Sequence, residues 1–596
     1  MYKNTLLLIA LFIIQSIFCV AQNIDTLSNW QYQVDYYQTG ETQKWYSTQY
    51  DKQNWASKNV PAAWDTYDEA LWGYEGTSWY YTTFTPQNIA PDNIVILKFN
   101  RVSIYSKVWL NGQYLGENKN GYLPFEYDIT SNIIPNKTNQ IVMQVNNEPK
   151  PDDLPGSKTI EWIQYGGILQ SVALITYPKA YIQDIYIATD KENKGFINAS
   201  YTIVNKSNTA SKATLNLSVA GSDLYIQKKI SVPTGMYFYN LTFPVKNPKI
   251  WSPETPTLYE LKSTLTTENA IHIKSQKFGI RTIATQGTDI LLNGKPIKIK
   301  GVDRYEDIGK YGPNPPLNVL MQDIKLLKDA GVNFIRTHYP YAPATLDLLD
   351  EAGFMVMEEI PINWWGTTTW GPNIVQDTNI LKVAIPFFDM MYTRDRNHPC
   401  IVIWSMSNEC NTSNDTSIYV MQKLLLNTKK KDPTRLASYA YAGETLKNSK
   451  AYQYADIVCF NRYPGLWDKP ICHHSAQLYE TVEKPMQAYI NHQMSHYPQK
   501  PSLVTEYGAR GIYGISGETN FSEDLQALMI QSVWKTIEAT PRLSGGILWS
   551  WADYYHRKNF IDYAVFGPYG VVTTDRKKKK SYETLKKLYT ASGNSK

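Results

Sequence analysis

Residues 401–410 read IVIWSMSNEC, an almost unbroken apolar run that closes on Asn408 and Glu409. A carboxylate at the end of a run built for burial needs a reason, because a low-dielectric interior disfavours its charge. Residues 501–507, PSLVTEY, close in the same way on Glu506. Two carboxyl groups brought to one pocket can cut a glycosidic bond. One is held protonated and hands its proton to the leaving oxygen, while the other is ionised and attacks the anomeric carbon. Their separation sets the stereochemistry: about 5–5.5 Å gives retention through a covalent intermediate, and a wider gap gives inversion. Either glutamate alone reads equally well as a salt-bridge partner at a strand end. The two together, with Asn408 before one and Tyr507 after the other, favour the chemical reading.

The elements that must position this pair begin near residue 284, where short apolar runs start to alternate with helical patterns. The runs are IKIKGVD (297–303), FIRTHYP (334–340), FMVMEEI (354–360), IVIWSMSNE (401–409), LASYA (436–440), DIVCFNRY (456–463), PSLVTEY (501–507) and GGILWSW (545–551). Helix-like segments lie between several of them, such as LNVLMQDIKLLKDAG (317–331) and ATLDLLDEAG (344–353). Eight strand–helix units in this length predict a (β/α)8 TIM barrel over 284–596, and strands covered on both faces should be almost continuously apolar, as these are. Active residues of such a barrel lie where strands end. These runs end at Asp303, near His338, at Glu358-Glu359, Asn408-Glu409, Tyr463 and Glu506, and at Trp549 and Trp551. The fourth and seventh runs are three apart around the ring, so their ends face each other across the mouth.

Ahead of the barrel, residues 22–180 alternate apolar and polar positions with turn signals such as Asn111-Gly112, which predicts a β-sandwich. Residues 181–283 repeat that style with proline-rich joints, and their length suits an immunoglobulin-like β-sandwich. Residues 1–21, with Lys3, an apolar Leu6 to Ile14 core and Cys19-Val20-Ala21, read as a cleaved secretory signal peptide and imply a periplasmic or secreted product. No later stretch reaches the ~18 apolar residues of a membrane span. At 596 residues the chain is too long for one core. The aromatic content of 13% supplies either stacking surfaces for sugar rings or ordinary sheet packing. Much of the +5 net charge sits in Arg576 to Lys580 (RKKKK), which reads as a solvated helix start: no aromatic residue interleaves with it and no nucleic-acid motif accompanies it. Cys400, Cys410, Cys459 and Cys472 have the spacing of no disulfide framework or zinc site.

Several stretches carry a resemblance. WGYEGTSWYYTTF, VWLNGQYLGENKNGYLPFEYDIT and WIQYGGILQSVAL come first, then WSPETPTLYEL and FGIRTIATQGTDILLNGKPIKIKGVDRYED, then RDRNHPCIVIWSMSNE and PSLVTEYG. In this order the chain resembles glycoside hydrolase family 2, the family of β-galactosidases, β-glucuronidases and β-mannosidases, over nearly its whole mature length. The resemblance implies a jelly-roll sugar-binding domain for the first sandwich and a retaining exo-β-glycosidase that removes terminal sugars from an oligosaccharide or polysaccharide. It further implies Glu409 as acid/base and Glu506 as nucleophile, Asn408 at the sugar 2-hydroxyl, and Tyr463 hydrogen-bonded to the nucleophile. Trp549 would form the pocket floor, Asp307 would contact the outer hydroxyls, and His338 would stand nearby. Some relatives hold magnesium or sodium near the acid/base, and Glu358 and Glu359 offer oxygens, although a hydrogen-bond network explains them more simply. No organic cofactor motif occurs, and assembly into a homo-oligomer is left open. Two departures matter. Arg336-Thr337-His338-Tyr339-Pro340 is one residue shorter than the family's usual stretch, so no role carries over to Arg336. The β-glucuronidases that the chain resembles carry an Asn-x-Lys whose lysine reads the sugar carboxylate. Here the matching stretch, Phe566 to Arg576, has neither residue. A buried carboxylate without its cation costs several kcal/mol, so the expected sugar is a β-galactoside. A uronide would need another cation, such as Arg557 or Lys558. A barrel that only binds carbohydrate is the remaining alternative, and the presence of both glutamates with Asn408 and Tyr463 argues against it.

Overall fold

The computed structural model describes residues 19–20 and 23–591, apart from 88, 91, 151–152, 156–159, 191–194, 367–375 and 558–565. Most of the leader segment and Lys558 therefore lie outside the described residues.

The first sandwich packs a six-stranded sheet on a four-stranded one. Thr77–Phe84 and Asn139–Asn146 pair antiparallel at the centre of the larger sheet, with Tyr80 opposite Met143. Alternation turns one face of each strand inward, where Trp30, Tyr80, Leu97, Val108 and Met143 are fully buried. The second sandwich sets Ala180–Thr189, Phe196–Asn205 and Gly235–Pro244 against a second sheet that contains Ser211–Val219 and Tyr259–Thr267, around Tyr201, Leu215 and Leu261.

Eight parallel strands then close a barrel in chain order: β1 (Ile299–Asp303), β2 (Phe334–Arg336), β3 (Met355–Glu359), β4 (Ile401–Asn408), β5 (Leu436–Tyr441), β6 (Val458–Asn461), β7 (Ser502–Tyr507) and β8 (Leu543–Leu548). Each overlaps the run expected for it. All eight residues of β4 are buried, as a strand covered on both faces requires. The helices are α1 (Leu317–Asp329), α2 (Pro343–Ala352), α3 (Ile380–Asp395), α4 (Asp415–Lys431), α5 (Lys484–His496), α6 (Glu523–Glu538) and α7 (Lys580–Ala591). The unit between β5 and β6 departs from the expected repeat. It holds only two 3-10 turns, Leu446–Asn448 and Lys450–Gln453. Its sequence, AGETLKNSKAYQ, has no apolar stripe at helical spacing.

The barrel is tied to both sandwiches. Arg281 donates to the carbonyls of Pro399, Thr434 and Ile401 under the barrel. Gly353 ends α2 at φ 70, where a Cβ would stand 2.6 Å from the Pro253 carbonyl. On the jelly-roll side, Arg101 pairs with Glu306 at 2.8 Å and both side chains are buried. The Arg576 to Lys580 run does lead into a helix, but it is not simply solvated. Lys579 is buried against Asp553 at 2.6 Å, and Arg576 bonds Asp323 at 2.7 Å. Lys577, Lys578 and Lys580 are exposed, as a solvated helix start requires, while Arg576 and Lys579 turn inward. The four cysteines are buried and unbridged, and no helix among the described residues is long and apolar enough to cross a membrane.

Candidate active site

β4 and β7 deliver Glu409 and Glu506 to one cavity of about 500 Å³ at the C-terminal face of the barrel. Asn408, His338, Tyr463 and Trp549 line it with them, so six of the seven expected residues meet there. Asp307 does not line it. It accepts a hydrogen bond from the Tyr165 hydroxyl at 3.3 Å, and its carbonyl accepts from Arg576 at 2.9 Å. The segment after β1 turns onto the jelly roll and takes Asp307 with it. A different carboxylate, Glu161, enters from the jelly roll and lines the cavity. It accepts from the Tyr554 hydroxyl. Its neighbour Trp162 packs edge-on against His338, with ring centroids 5.9 Å apart. Glu161 lies in the EWIQYGGI stretch, which marks the domain but ends no barrel strand, so the strand-end rule does not reach it.

Arg336, the last residue of β2, is the hub beneath the pair. It is fully buried. Its Nη1 lies 2.6 Å from Glu506 Oε1 and 3.4 Å from Asp303 Oδ1, and its Nη2 lies 3.0 Å from Glu359 Oε2 and 2.8 Å from Asn408 Oδ1. One planar guanidinium thus orders three carboxylates and the asparagine next to Glu409, a task suited to its fixed fork of donors. Glu359 also accepts from Ser405, while Glu358 accepts from the Tyr341 amide at 3.3 Å with Arg394 at 3.7 Å. Glu359 Oε2 and Glu358 Oε1 are therefore engaged in hydrogen bonds and ion pairs, while Glu358 Oε2 is buried without a hydrogen-bond donor among the described residues. Asp303, His338 and Glu506 also converge, but Arg336 already supplies their positive charge.

Glu506 accepts at both oxygens, from Arg336 at Oε1 and from the Tyr463 hydroxyl at 2.5 Å at Oε2. His338 Nε2 is 3.6 Å from Oε1, and burial together with Arg336 keeps that imidazole neutral, well below its ordinary titration range. Glu409 stands just past β4 at φ 50, in the left-handed region. Such a conformation costs on the order of 1–3 kcal/mol and persists only where surroundings enforce it. Here the Glu409 amide bonds the Ala440 carbonyl at 2.9 Å, and the pairing of β4 with β5 shifts register between Ser405 and Asn408. Glu409 Oε1 accepts from Asn461 and Oε2 from the Trp364 indole, both at 2.8 Å.

These surroundings separate the two carboxyls electrically. Burial and then the Glu409 charge push Glu506 up, while Arg336 and Tyr463 pull it back. Burial also pushes Glu409 up, and the donors Asn461 and Trp364, followed by the Arg336 charge, oppose it. Two carboxylates in one dry pocket do not both ionise readily. Arg336 at Glu506 favours the ionised form of that carboxyl, against burial and the Glu409 charge, which together push it up to about 8. The titration belongs to the pair.

The Trp549 indole donates to the Tyr554 hydroxyl at 3.1 Å, which sets that ring as one wall. Tyr569, from the stretch that lacks Asn-x-Lys, lines the cavity as well, as does Trp467. Arg557 does not. Its Nη2 bonds Glu75 Oε2 at 2.6 Å at the domain boundary.

A closed parallel barrel with two glutamates on facing strand ends, behind two β-sandwiches, defines a glycoside hydrolase. The chain belongs to glycosyl hydrolases family 2: the sugar-binding-domain model matches residues 21–178, the central family 2 model 180–281 and the TIM-barrel-domain model 283–593. The chain is 28% identical over 543 residues to a β-glucuronidase of Rattus norvegicus, covering 83% of this chain and 79% of that one. It is 27% identical over 557 residues to a β-glucuronidase of Paenibacillus borealis, covering 88% and 90%. Among solved structures, a family 2 β-galacturonidase from Eisenbergiella tayi bound to galacturonate superposes with TM-score 0.80 at 25% identity, over 96% of this chain and 98% of the other.

Proposed function

We propose that the protein is a retaining exo-β-glycosidase that removes terminal β-linked hexuronic acids from oligosaccharides or polysaccharides, with Glu506 as nucleophile and Glu409 as acid/base. The observation that carries the mechanism is the unequal setting of the two carboxyls: Glu506 is held by a guanidinium and a phenol, and Glu409 by two neutral donors. Asn408 lines the cavity and is fixed by Arg336 and Asn363, which suits the contact to a sugar 2-hydroxyl that the family resemblance implies. The apolar signal-like leader supports export to the periplasm or beyond.

This assignment predicts a bell-shaped pH profile of kcat/KM. The rate rises as Glu506 loses its proton and falls as Glu409 loses its own. Both carboxyls are raised by burial, so the alkaline limb is expected well above the ordinary glutamate pKa of about 4.3. A profile flat between pH 4 and 8, the range in which shifted carboxyls titrate, would remove Glu409 from the proton-donor role.

For the sugar, the similar proteins named β-glucuronidase and β-galacturonidase support a uronide over the β-galactoside expected from the missing Asn-x-Lys. A cation, Arg510, also stands behind the cavity wall, although it does not itself line the cavity. The Arg510 guanidinium stacks on two rings of the cavity wall, 4.4 Å from the Trp467 centroid and 5.0 Å from that of Tyr569. One observation favours the galactoside as a second reading. Glu161, Glu409, Glu444, Asp468 and Glu506 line the cavity with one arginine, Arg462, which is itself paired with Glu444 and Asp468 at 3.1 Å each. Aryl β-glucuronide, β-galacturonide and β-galactoside with one common leaving group separate the two. A uronide is expected to lead in kcat/KM, and Arg510→Gln is expected to lower its rate roughly 10–100-fold, the worth of a charged hydrogen bond, while sparing the galactoside. A galactoside that leads in the unaltered enzyme overturns the sugar assignment.

A further inference from the structure

Trp364 stands on the segment after β3, and that segment is stitched to the end of β4. The Trp364 amide donates to the Asn408 carbonyl at 2.9 Å, and the Asn408 amide donates to the Ile362 carbonyl at 2.8 Å. Trp364 and Glu409 both sit in the left-handed region, at φ 51 and φ 50. Two side chains in this unusual backbone conformation are thereby turned toward each other, and the Trp364 Nε1–H reaches Glu409 Oε2 at 2.8 Å. Asn461 Nδ2 reaches the other oxygen at the same distance.

Both partners are pure donors at these atoms: an indole N–H and an amide NH2 cannot accept a proton or a hydrogen bond there. A proton on Glu409 therefore cannot lie along either contact. It must occupy a remaining lone-pair direction, and the carboxyl, Trp364 and Asn461 all line the cavity that receives the sugar. We propose that Trp364 is a positioning residue for proton transfer, which aims the Glu409 proton at the departing glycosidic oxygen and steadies the carboxylate that follows. The inference rests on Glu409 being the acid/base. In the first step the proton passes from Glu409 to the leaving oxygen as the glycosidic bond breaks and a Glu506 oxygen bonds to the anomeric carbon. In the second, water gives a proton to Glu409 as its oxygen displaces Glu506. The indole donor persists through both steps and favours the ionised form that each turnover must pass through.

The test is Trp364→Phe, which removes the N–H and keeps an aromatic ring. It is assayed on whichever sugar the unaltered enzyme turns over fastest, linked to a good and to a poor leaving group. With a dinitrophenyl leaving group, which departs without a proton, kcat/KM is expected to change less than roughly threefold. With an alkyl leaving group, a fall of roughly 10–100-fold is expected, within the range of acid–base assistance. The alkaline limb of the pH profile should also move upward, because the carboxylate loses a donor. Equal losses on both leaving groups with an unmoved alkaline limb would make Trp364 merely structural and overturn the proposal. If the variant does not fold, benzothienylalanine at position 364 replaces the N–H by sulfur with nearly the same shape and gives the same two outcomes. Glu409→Ala with added azide checks the underlying reading separately. Formation of a β-glycosyl azide supports the acid/base assignment whatever Trp364 does, and its absence overturns that assignment.

Discussion

Glu506→Gln is expected to lower kcat on aryl glycosides by on the order of 10⁴-fold or more, about 5.5 kcal/mol of transition-state stabilisation. The amide keeps the shape of the carboxyl but can neither carry the charge nor form a stable bond to the anomeric carbon. The fold should survive, because the amide oxygen can still accept from Arg336, the amide NH2 can donate to the Tyr463 hydroxyl, and the surrounding β7 is buried and unchanged. Circular dichroism and the melting curve would verify that, and kinetics on a dinitrophenyl glycoside would give the loss. A variant within tenfold of the unaltered enzyme would exclude Glu506 as nucleophile. A barrel that only binds carbohydrate would show no activity to lose in the first place.

Arg336→Met should be nearly as damaging to catalysis and far more damaging to the fold. It leaves Asp303, Glu359 and Glu506 buried together without their guanidinium. Removing one partner of a buried charge group costs about 3–5 kcal/mol. The sign with pH follows from the carboxyls that remain. Burial holds the Asp303, Glu359 and Glu506 pKa values above those of the unfolded chain, and Arg336 works against that rise. Without it the folded values rise further. The loss should then be small below the unfolded carboxyl range of about 4 and should grow as pH rises above it. Urea unfolding at pH 5 and at pH 8 measures this. A loss under about 1 kcal/mol at pH 8 would contradict the role of Arg336 as the charge that permits this cluster. Arg336→Lys keeps one charge but cannot bridge Glu506 and Glu359 at once, so an intermediate loss is expected.

The barrel was legible because burial on both faces writes itself as apolar runs, and each of β1–β8 falls on one. Glu409 and Glu506 were legible for the opposite reason, as charges where such runs stop. Arg336 shows the limit of that logic. It closes β2 just as Glu409 follows β4, but its meaning lies in Asp303, Glu359, Asn408 and Glu506, which other strands bring to it. No local pattern announces a cation that is paired only in three dimensions. Glu161 and Trp364 lie deeper still in tertiary structure, one on a loop of another domain and the other on an irregular segment whose left-handed backbone has no sequence signature in a tryptophan. Asp307 shows the reverse case: its motif is present in the sequence, but the segment after β1 carries it to Tyr165, outside the cavity lining. In the Arg576 to Lys580 run only Arg576 and Lys579 depart from the solvated reading, because Asp323 and Asp553, which draw them inward, lie elsewhere in the chain.

The central claim is that Glu506 bonds to the sugar. It is tested most directly by incubating the enzyme with a 2-deoxy-2-fluoro glycosyl fluoride of its preferred sugar, which forms the covalent intermediate and releases it slowly, and then locating the adduct by peptide mass spectrometry. The account predicts one fluorosugar per chain, attached to Glu506 in the peptide containing PSLVTEYG. An adduct on Glu409 or Glu359, or no adduct together with release of the sugar as its α-anomer, would contradict it.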